Sequence, residues 1–217
     1  MKRTRGGVLA LALCLAILSI AGRGLVMSAT DSEQVIDLSP WIGTNESFWT
    51  IFQDPAADKV FSEIAKYAPG YDLAMVRKCM EKLYRFNFDV FRVIDGRTVC
   101  FDDGVVAEYD LIGVLEVEAN QYKPTWYIFK TESKDAIEFG VEYLLMMPYH
   151  GDGEGLGHCH LRYGNQGFEY LTTDPSIANW WPTAFRPEEA DKLGRESILE
   201  GLVRSARMLA TMLPPVK

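Results

Sequence analysis

Histidine is almost missing from this chain: three residues in 217, all of them between positions 150 and 160. Ser-His-Asp catalysis therefore has no histidine to draw on outside one short stretch. No glycine-rich phosphate loop occurs anywhere, which removes the P-loop route to nucleotide binding. Basic residues are in deficit, 22 Lys and Arg against 30 Asp and Glu, a formal net charge of -8. Nucleic acid partners are disfavoured on that ground, because phosphate binding needs basic patches. The chain also lacks internal repeats and low-complexity stretches. With 48% hydrophobic and 24% charged residues it has a globular composition, and its length suits one domain of ordinary size.

No apolar run is long enough for a comfortable membrane span. The longest, Val8 to Ala21, is interrupted by Ser19 and follows the basic start Lys2, Arg3, Arg5. That is the pattern of a secretory signal, with small-residue cleavage sites at Ser19/Ala21 and at Met27-Ser28-Ala29; an uncleaved anchor is the alternative. Cys14 sits inside the run rather than at its end, which argues against a lipid-modified start. Residues 1–29 are thus expected to be a signal peptide, and the mature protein exported, periplasmic or extracellular, with no membrane attachment. Cleavage after Ala29 removes four basic and no acidic residues and takes the net charge from -8 to -12. Cysteine is sparse as well. The mature chain keeps Cys79, Cys100 and Cys159, an odd number that leaves at least one thiol unpaired; a Cys79–Cys100 disulfide is left open.

From Asp37 to about Arg85 the apolar periodicity predicts helices. Pro55 to Asp58 opens a stripe of Val60, Phe61, Ile64, Ala65 and Ala68, and Pro69-Gly70 stops it; Leu73, Val76, Met80 and Leu83 form a second stripe. From Phe86 the pattern turns to strands, with apolar runs on either side of Asp95-Gly96 reading as a hairpin. Further strands are expected at Val105–Val117, Thr125–Thr131, Val141–His150 and His158–Tyr163. Short strands with regular turns predict a mainly β fold, an antiparallel barrel or sandwich, with helices before and after it. The chain returns to helix from Pro187, whose first turn carries Glu188, Glu189 and Asp191. A stripe of Leu199, Leu202, Val203, Ala206, Ala210 and Leu213 continues it to Pro214-Pro215.

The histidines carry the chemistry. Strand alternation puts His158 and His160 on one face, and the glycine-rich return from Gly151 to Gly157 lets His150 pair opposite them. Three imidazoles on what we expect to be the inner face of the barrel match a zinc site with an open fourth position. Neutral imidazole also suits Cu²⁺ and Ni²⁺. Alternation points Cys159 away from the metal, so a packing role is expected for it. Asp152 and Glu154 are candidates for a fourth ligand or a cation approach path, or are simply solvated turn residues. Trp180, Trp181 and Phe185 are read as core or barrel rim. A cupin also uses His-x-His on a strand but follows it closely with Glu; here Leu161 to Asn165 follow, and Glu169 is too distant.

The segment His158-Cys159-His160-Leu161-Arg162-Tyr163-Gly164 with Gly167-Phe168 resembles the ZinT (YodA) family of periplasmic zinc-binding proteins. Leu38-Ser39-Pro40-Trp41-Ile42-Gly43, Thr125-Trp126-Tyr127 and Trp181-Pro182-Thr183 resemble further elements of that family. The likeness runs from about Ile36 to Glu189, and the position where the family usually carries a second Trp is Asn45 here. The resemblance implies a single antiparallel lipocalin- or calycin-like barrel domain over 36–200; the C-terminal helical extension over 201–217 reaches past the expected end of the family. It implies one Zn²⁺ per chain held by His150, His158 and His160, with Cd²⁺ or other divalent ions as further guests. It implies a non-enzymatic role in zinc recruitment, delivery or buffering, with the solute-binding protein of a zinc ABC transporter as a partner. Two rivals remain from the residues themselves: a three-His zinc hydrolase or hydratase, and a lipocalin-type binder of a small apolar ligand.

Overall fold

The computed structural model describes residues 37–102, 104–116, 125–151 and 155–215. The expected signal peptide, Asp152 and Glu154 lie outside them. Among the described residues nine strands form one antiparallel sheet: β1 (Gly43–Ser47), β2 (Val90–Val93), β3 (Thr98–Phe101), β4 (Val106–Glu108), β5 (Asp110–Glu116), β6 (Thr125–Lys130), β7 (Tyr143–Met146), β8 (His158–Gly164) and β9 (Thr183–Phe185). Their order is β4-β3-β2-β1-β9-β8-β7-β6-β5, so the two outer strands are consecutive in the chain and the sheet curls into a nearly closed barrel. Tyr109, between them, is buried; its N–H donates to the Arg97 carbonyl at 2.8 Å and its hydroxyl to the Val141 carbonyl at 2.6 Å. This is the mainly β architecture with flanking helices that the periodicity predicts. The Asp95-Gly96 hairpin is present, pairing Phe91 with Phe101 and Val93 with Val99.

Alternation along each strand sorts the side chains into two populations. Phe91, Val93, Val99, Phe101, Phe129, Leu144, Met146, Cys159, Leu161, Tyr163 and Ala184 meet inside the barrel around the fully buried Trp41. The Trp41 indole N–H donates to the Met147 carbonyl at 2.8 Å, which anchors the opening segment across the barrel. Their neighbours in sequence face outward and need another cover. Trp126, Ile128, Leu145 and Met147 are covered by Leu171 together with Trp180 and Trp181.

The helices are α1 (Trp49–Phe52), α2 (Asp58–Tyr67), α3 (Leu73–Tyr84), α4 (Lys134–Phe139), α5 (Phe168–Thr173), α6 (Pro187–Leu193), α7 (Arg195–Arg204) and α8 (Ala206–Ala210). Both early helices follow their apolar stripes: Val60, Phe61 and Ile64 of α2 and Val76, Met80 and Leu83 of α3 are buried. They share a second core with Phe48, Phe52, Phe185, Leu199, Ala206 and Leu209, so the C-terminal helices close over the N-terminal ones. No helix among the described residues is long and apolar enough to cross a membrane.

Two expectations need correction. The helical reading from Asp37 onward overlooks β1, whose residues Gly-Thr-Asn-Glu-Ser carry no apolar alternation; its strand state comes from pairing with β2 and β9. The single C-terminal helix is instead three. Gly194, at φ 78°, interrupts the backbone between α6 and α7, and Ser205 separates α7 from α8. Cys79 and Cys100 are both free.

Candidate metal centre

His158 opens β8, and His150 lies just past β7, where a single antiparallel bridge joins the two. Each donates its backbone N–H to the other's carbonyl at 2.8 Å. On the other side β8 pairs with β9, His158 opposite Phe185 and His160 opposite Thr183. The three ring centroids lie 4.5, 5.1 and 5.3 Å apart. One nitrogen from each ring falls within 4.8 Å of the others, and among the described residues no carboxylate or thiol joins the group. Tetrahedral zinc with Zn–N near 2.1 Å holds ligand nitrogens about 3.4 Å apart, so closing on an ion takes side-chain movements on the order of 1 Å.

The sequence places these histidines on one face, and they share one. That face is the outer one, contrary to expectation. Alternation decides which residues share a side but not which side the barrel encloses. Here the apolar residues Cys159, Leu161 and Tyr163 turn inward, while His158, His160 and Arg162 turn toward the flanking cover. The centre is walled by aromatic rings: Phe48 stands 6.3 Å from His158 and Trp181 5.6 Å from His160, edge-on in both cases. Trp181, read from the sequence as rim or core, is thus part of the site, whereas Phe185 is core.

The Nδ1 atom of every ring is engaged. His150 Nδ1 meets the Pro148 carbonyl at 3.0 Å, His158 Nδ1 the Leu156 carbonyl at 3.0 Å, and His160 Nδ1 the Thr183 hydroxyl at 2.8 Å. A carbonyl only accepts, so the first two rings carry a proton on Nδ1, which leaves Nε2 as the nitrogen available to a metal ion. Burial removes water from the charged forms. It lowers the pKa of His158 and pushes that of His160 down to about 3, with the neighbouring imidazoles acting in the same direction. These two rings are therefore neutral near pH 7, the state that binds a metal ion.

Two supports of the centre escaped the sequence reading. Gly151 has φ 129°, and a Cβ there would stand 3.1 Å from the Leu156 carbonyl, the group that holds His158. Arg162, noticed only as part of a motif, is a buried cation with no carboxylate partner among the described residues. Its guanidinium donates to the carbonyls of Trp180 (3.1 Å), Leu171 (2.7 Å) and Ile177 (3.3 Å), and packs on the rings of Trp126 and Trp181. The apolar neighbours of a lone Arg are a weak signal in sequence, because the acceptors are main-chain atoms that no residue type reveals.

A nearly closed antiparallel barrel with three imidazoles on its outer wall defines the class. No protein-family model matches the chain, and no curated protein matches it. In three dimensions it is similar to the Zn(II)-bound ZinT-like domain of Streptococcus pneumoniae AdcA: TM-score 0.56, 20% identity, covering 77% of this chain and 89% of that one. It is also similar to Zn(II)-bound AdcA from the same organism, with TM-score 0.58 and 19% identity, covering 79% of this chain but only 37% of that longer one. The fold is that of a ZinT-like domain.

Proposed function

We propose that this chain is an exported member of the ZinT-like zinc-binding proteins, taking up one Zn²⁺ through the Nε2 atoms of His150, His158 and His160. The observation that carries this reading is the convergence of three imidazole nitrogens within 4.8 Å, with the Nδ1 of each ring already occupied. Three neutral nitrogen ligands fit Zn²⁺ in charge preference and softness and leave a fourth position for water or a labile group. The two similar structures are both zinc-bound.

Binding rather than catalysis suits the surroundings. A hydrolase or hydratase needs an acid or base near the metal-bound water. The rings of Phe48 and Trp181 occupy the flanks, and no described carboxylate joins the cluster. An open fourth position lets a protein ligand replace water and withdraw the ion, as recruitment, delivery or buffering requires. The partner that would receive it is the solute-binding protein of a zinc ABC transporter. Export rests on the basic start and apolar run ahead of residue 29.

The test is metal analysis and zinc titration of the protein purified without a histidine tag. One tight equivalent per chain is expected, and none in the His158→Ala/His160→Ala double variant. A tight equivalent retained by the double variant sinks the assignment.

A further inference from the structure

The hydrogen bond of His160 differs in kind from those of its two companions. A hydroxyl, unlike a carbonyl, can donate or accept, so the contact between His160 Nδ1 and Thr183 Oγ1 at 2.8 Å does not by itself fix a tautomer. The next link does. Thr183 Oγ1 also lies 2.8 Å from the Trp181 carbonyl, which has no hydrogen to give. The single hydroxyl proton is spent there, and Oγ1 is left as an acceptor toward the ring. His160 must then carry its proton on Nδ1, and its Nε2 presents a lone pair.

From this we infer that Thr183 is a positioning residue for the metal centre: it holds His160 in the Nδ1–H tautomer through a relay that ends on the Trp181 carbonyl. The inference rests on the zinc reading for its purpose but not for its chemistry. Three features make the relay rigid. Thr183 is buried at 1% exposure, so water does not compete for its hydroxyl. Its backbone is fixed in β9, directly opposite His160 in register. The Pro182 carbonyl between relay donor and acceptor receives the Leu161 N–H at 2.9 Å, which ties the Trp181–Thr183 turn to the strand that bears the histidine. The same turn sets the Trp181 ring edge-on to His160. Groups that orient a ligating imidazole through its far nitrogen typically influence metal affinity roughly 10–100-fold.

The experiment uses the metal-free protein labelled with ¹⁵N in its histidines, together with zinc titration. Long-range ¹H–¹⁵N correlation spectra should show His160 with a protonated Nδ1 and a bare Nε2. Thr183→Val, which keeps the shape and removes the hydroxyl, should populate the Nε2–H form of His160 alone and weaken zinc binding roughly 10–100-fold. Thr183→Ser should restore both. Should the valine variant fail to fold, Thr183→Ala carries the same expectation. A His160 that stays in the Nδ1–H form without the hydroxyl, or a serine variant no better than valine, overturns the relay. A wild-type protein that shows the tautomer but takes up no zinc overturns the zinc reading and leaves the relay standing.

Discussion

The backbones of His150 and His158 exchange both of their hydrogen bonds, at 2.8 Å in each direction, so the two rings are fixed side by side by main-chain atoms rather than by their own chemistry. Gly151, next to His150, packs closely behind that pair. Its φ of 129° is costly for any residue with a Cβ, and the added atom would press on the Leu156 carbonyl at 3.1 Å and approach His158 Nδ1 at 3.5 Å. Gly151→Ala should therefore cost on the order of 1–2 kcal/mol in stability from backbone strain. It should also weaken zinc binding tenfold or more, because the acceptor that orients His158 must move. Urea unfolding and zinc titration of the variant check both. An unchanged zinc affinity would mean that the Leu156 contact is dispensable.

Cys159 lies between two histidines in sequence yet on the opposite side of the sheet. It is fully buried in the barrel interior, and burial pushes its thiol pKa up to about 12. The thiolate needed for ligation or alkylation is thus absent at neutral pH. Cys159→Ser should leave zinc affinity unchanged within about threefold while destabilising the fold by roughly 1–3 kcal/mol, the cost of taking a more polar hydroxyl out of water into the barrel interior. Native Cys159 should resist iodoacetamide until the protein unfolds. A tenfold loss of zinc affinity, ~1.4 kcal/mol, would make the thiol a ligand after all.

Much of this is legible in the sequence where a local rule governs it. The stripes of α2 and α3, the Asp95-Gly96 hairpin and the shared face of His158 and His160 follow from periodicity and turn chemistry alone. What is not legible depends on partners distant in the chain. β1 and β9 are short and unpatterned, and become strands because neighbouring ladders need them. The outward aim of the histidines is set by which face of β8 finds Phe91, Phe101 and Tyr109 across the barrel. Thr183 and Arg162 act on main-chain carbonyls, whose positions exist only after folding.

Acid should act on the metal-free protein through the two buried rings. An unfolded histidine titrates near 6.5, whereas in the fold His158 is lowered and His160 sits at about 3. Between those values the unfolded chain binds more protons, so stability rises with pH. The contribution is fully present above about pH 6.5 and is lost as pH falls toward about 3. His160→Phe removes the titration, and the difference in denaturation midpoint between it and the wild type should shrink or invert from pH 7 to pH 4. A difference independent of pH would refute the shift. For zinc uptake, three ordinary imidazoles would release close to three protons per ion well below pH 6. With His160 already neutral and His158 titrating below its ordinary value, calorimetry in buffers of different ionisation enthalpy should find distinctly fewer than three at about pH 5.5.

Arg162 offers the sharpest test of how the outer wall is held. Burial lowers its pKa to about 10, which leaves it charged at neutral pH, and no carboxylate among the described residues offsets the cost of removing that charge from water. Two effects of Arg162→Met oppose each other. The variant relieves the buried cation of its desolvation penalty, which favours the change. It also strips the donor from the carbonyls of Leu171, Ile177 and Trp180, each of which costs about 1–3 kcal/mol if left unpaired in the interior. The Leu171 bond is buried, whereas the other two are partly open, so water can replace a donor at Ile177 and Trp180 but not at Leu171. The balance predicts a net loss of about 2 kcal/mol, read from the urea midpoint. Arg162→Lys should recover little of it, because one ammonium cannot span three carbonyls that a planar guanidinium reaches together. Release of the Leu171–Trp180 segment should also free Trp181, blue- or red-shifting its emission and lowering zinc affinity, since that ring borders His160. A methionine variant as stable as the wild type would show that the cation's desolvation outweighs its three bonds.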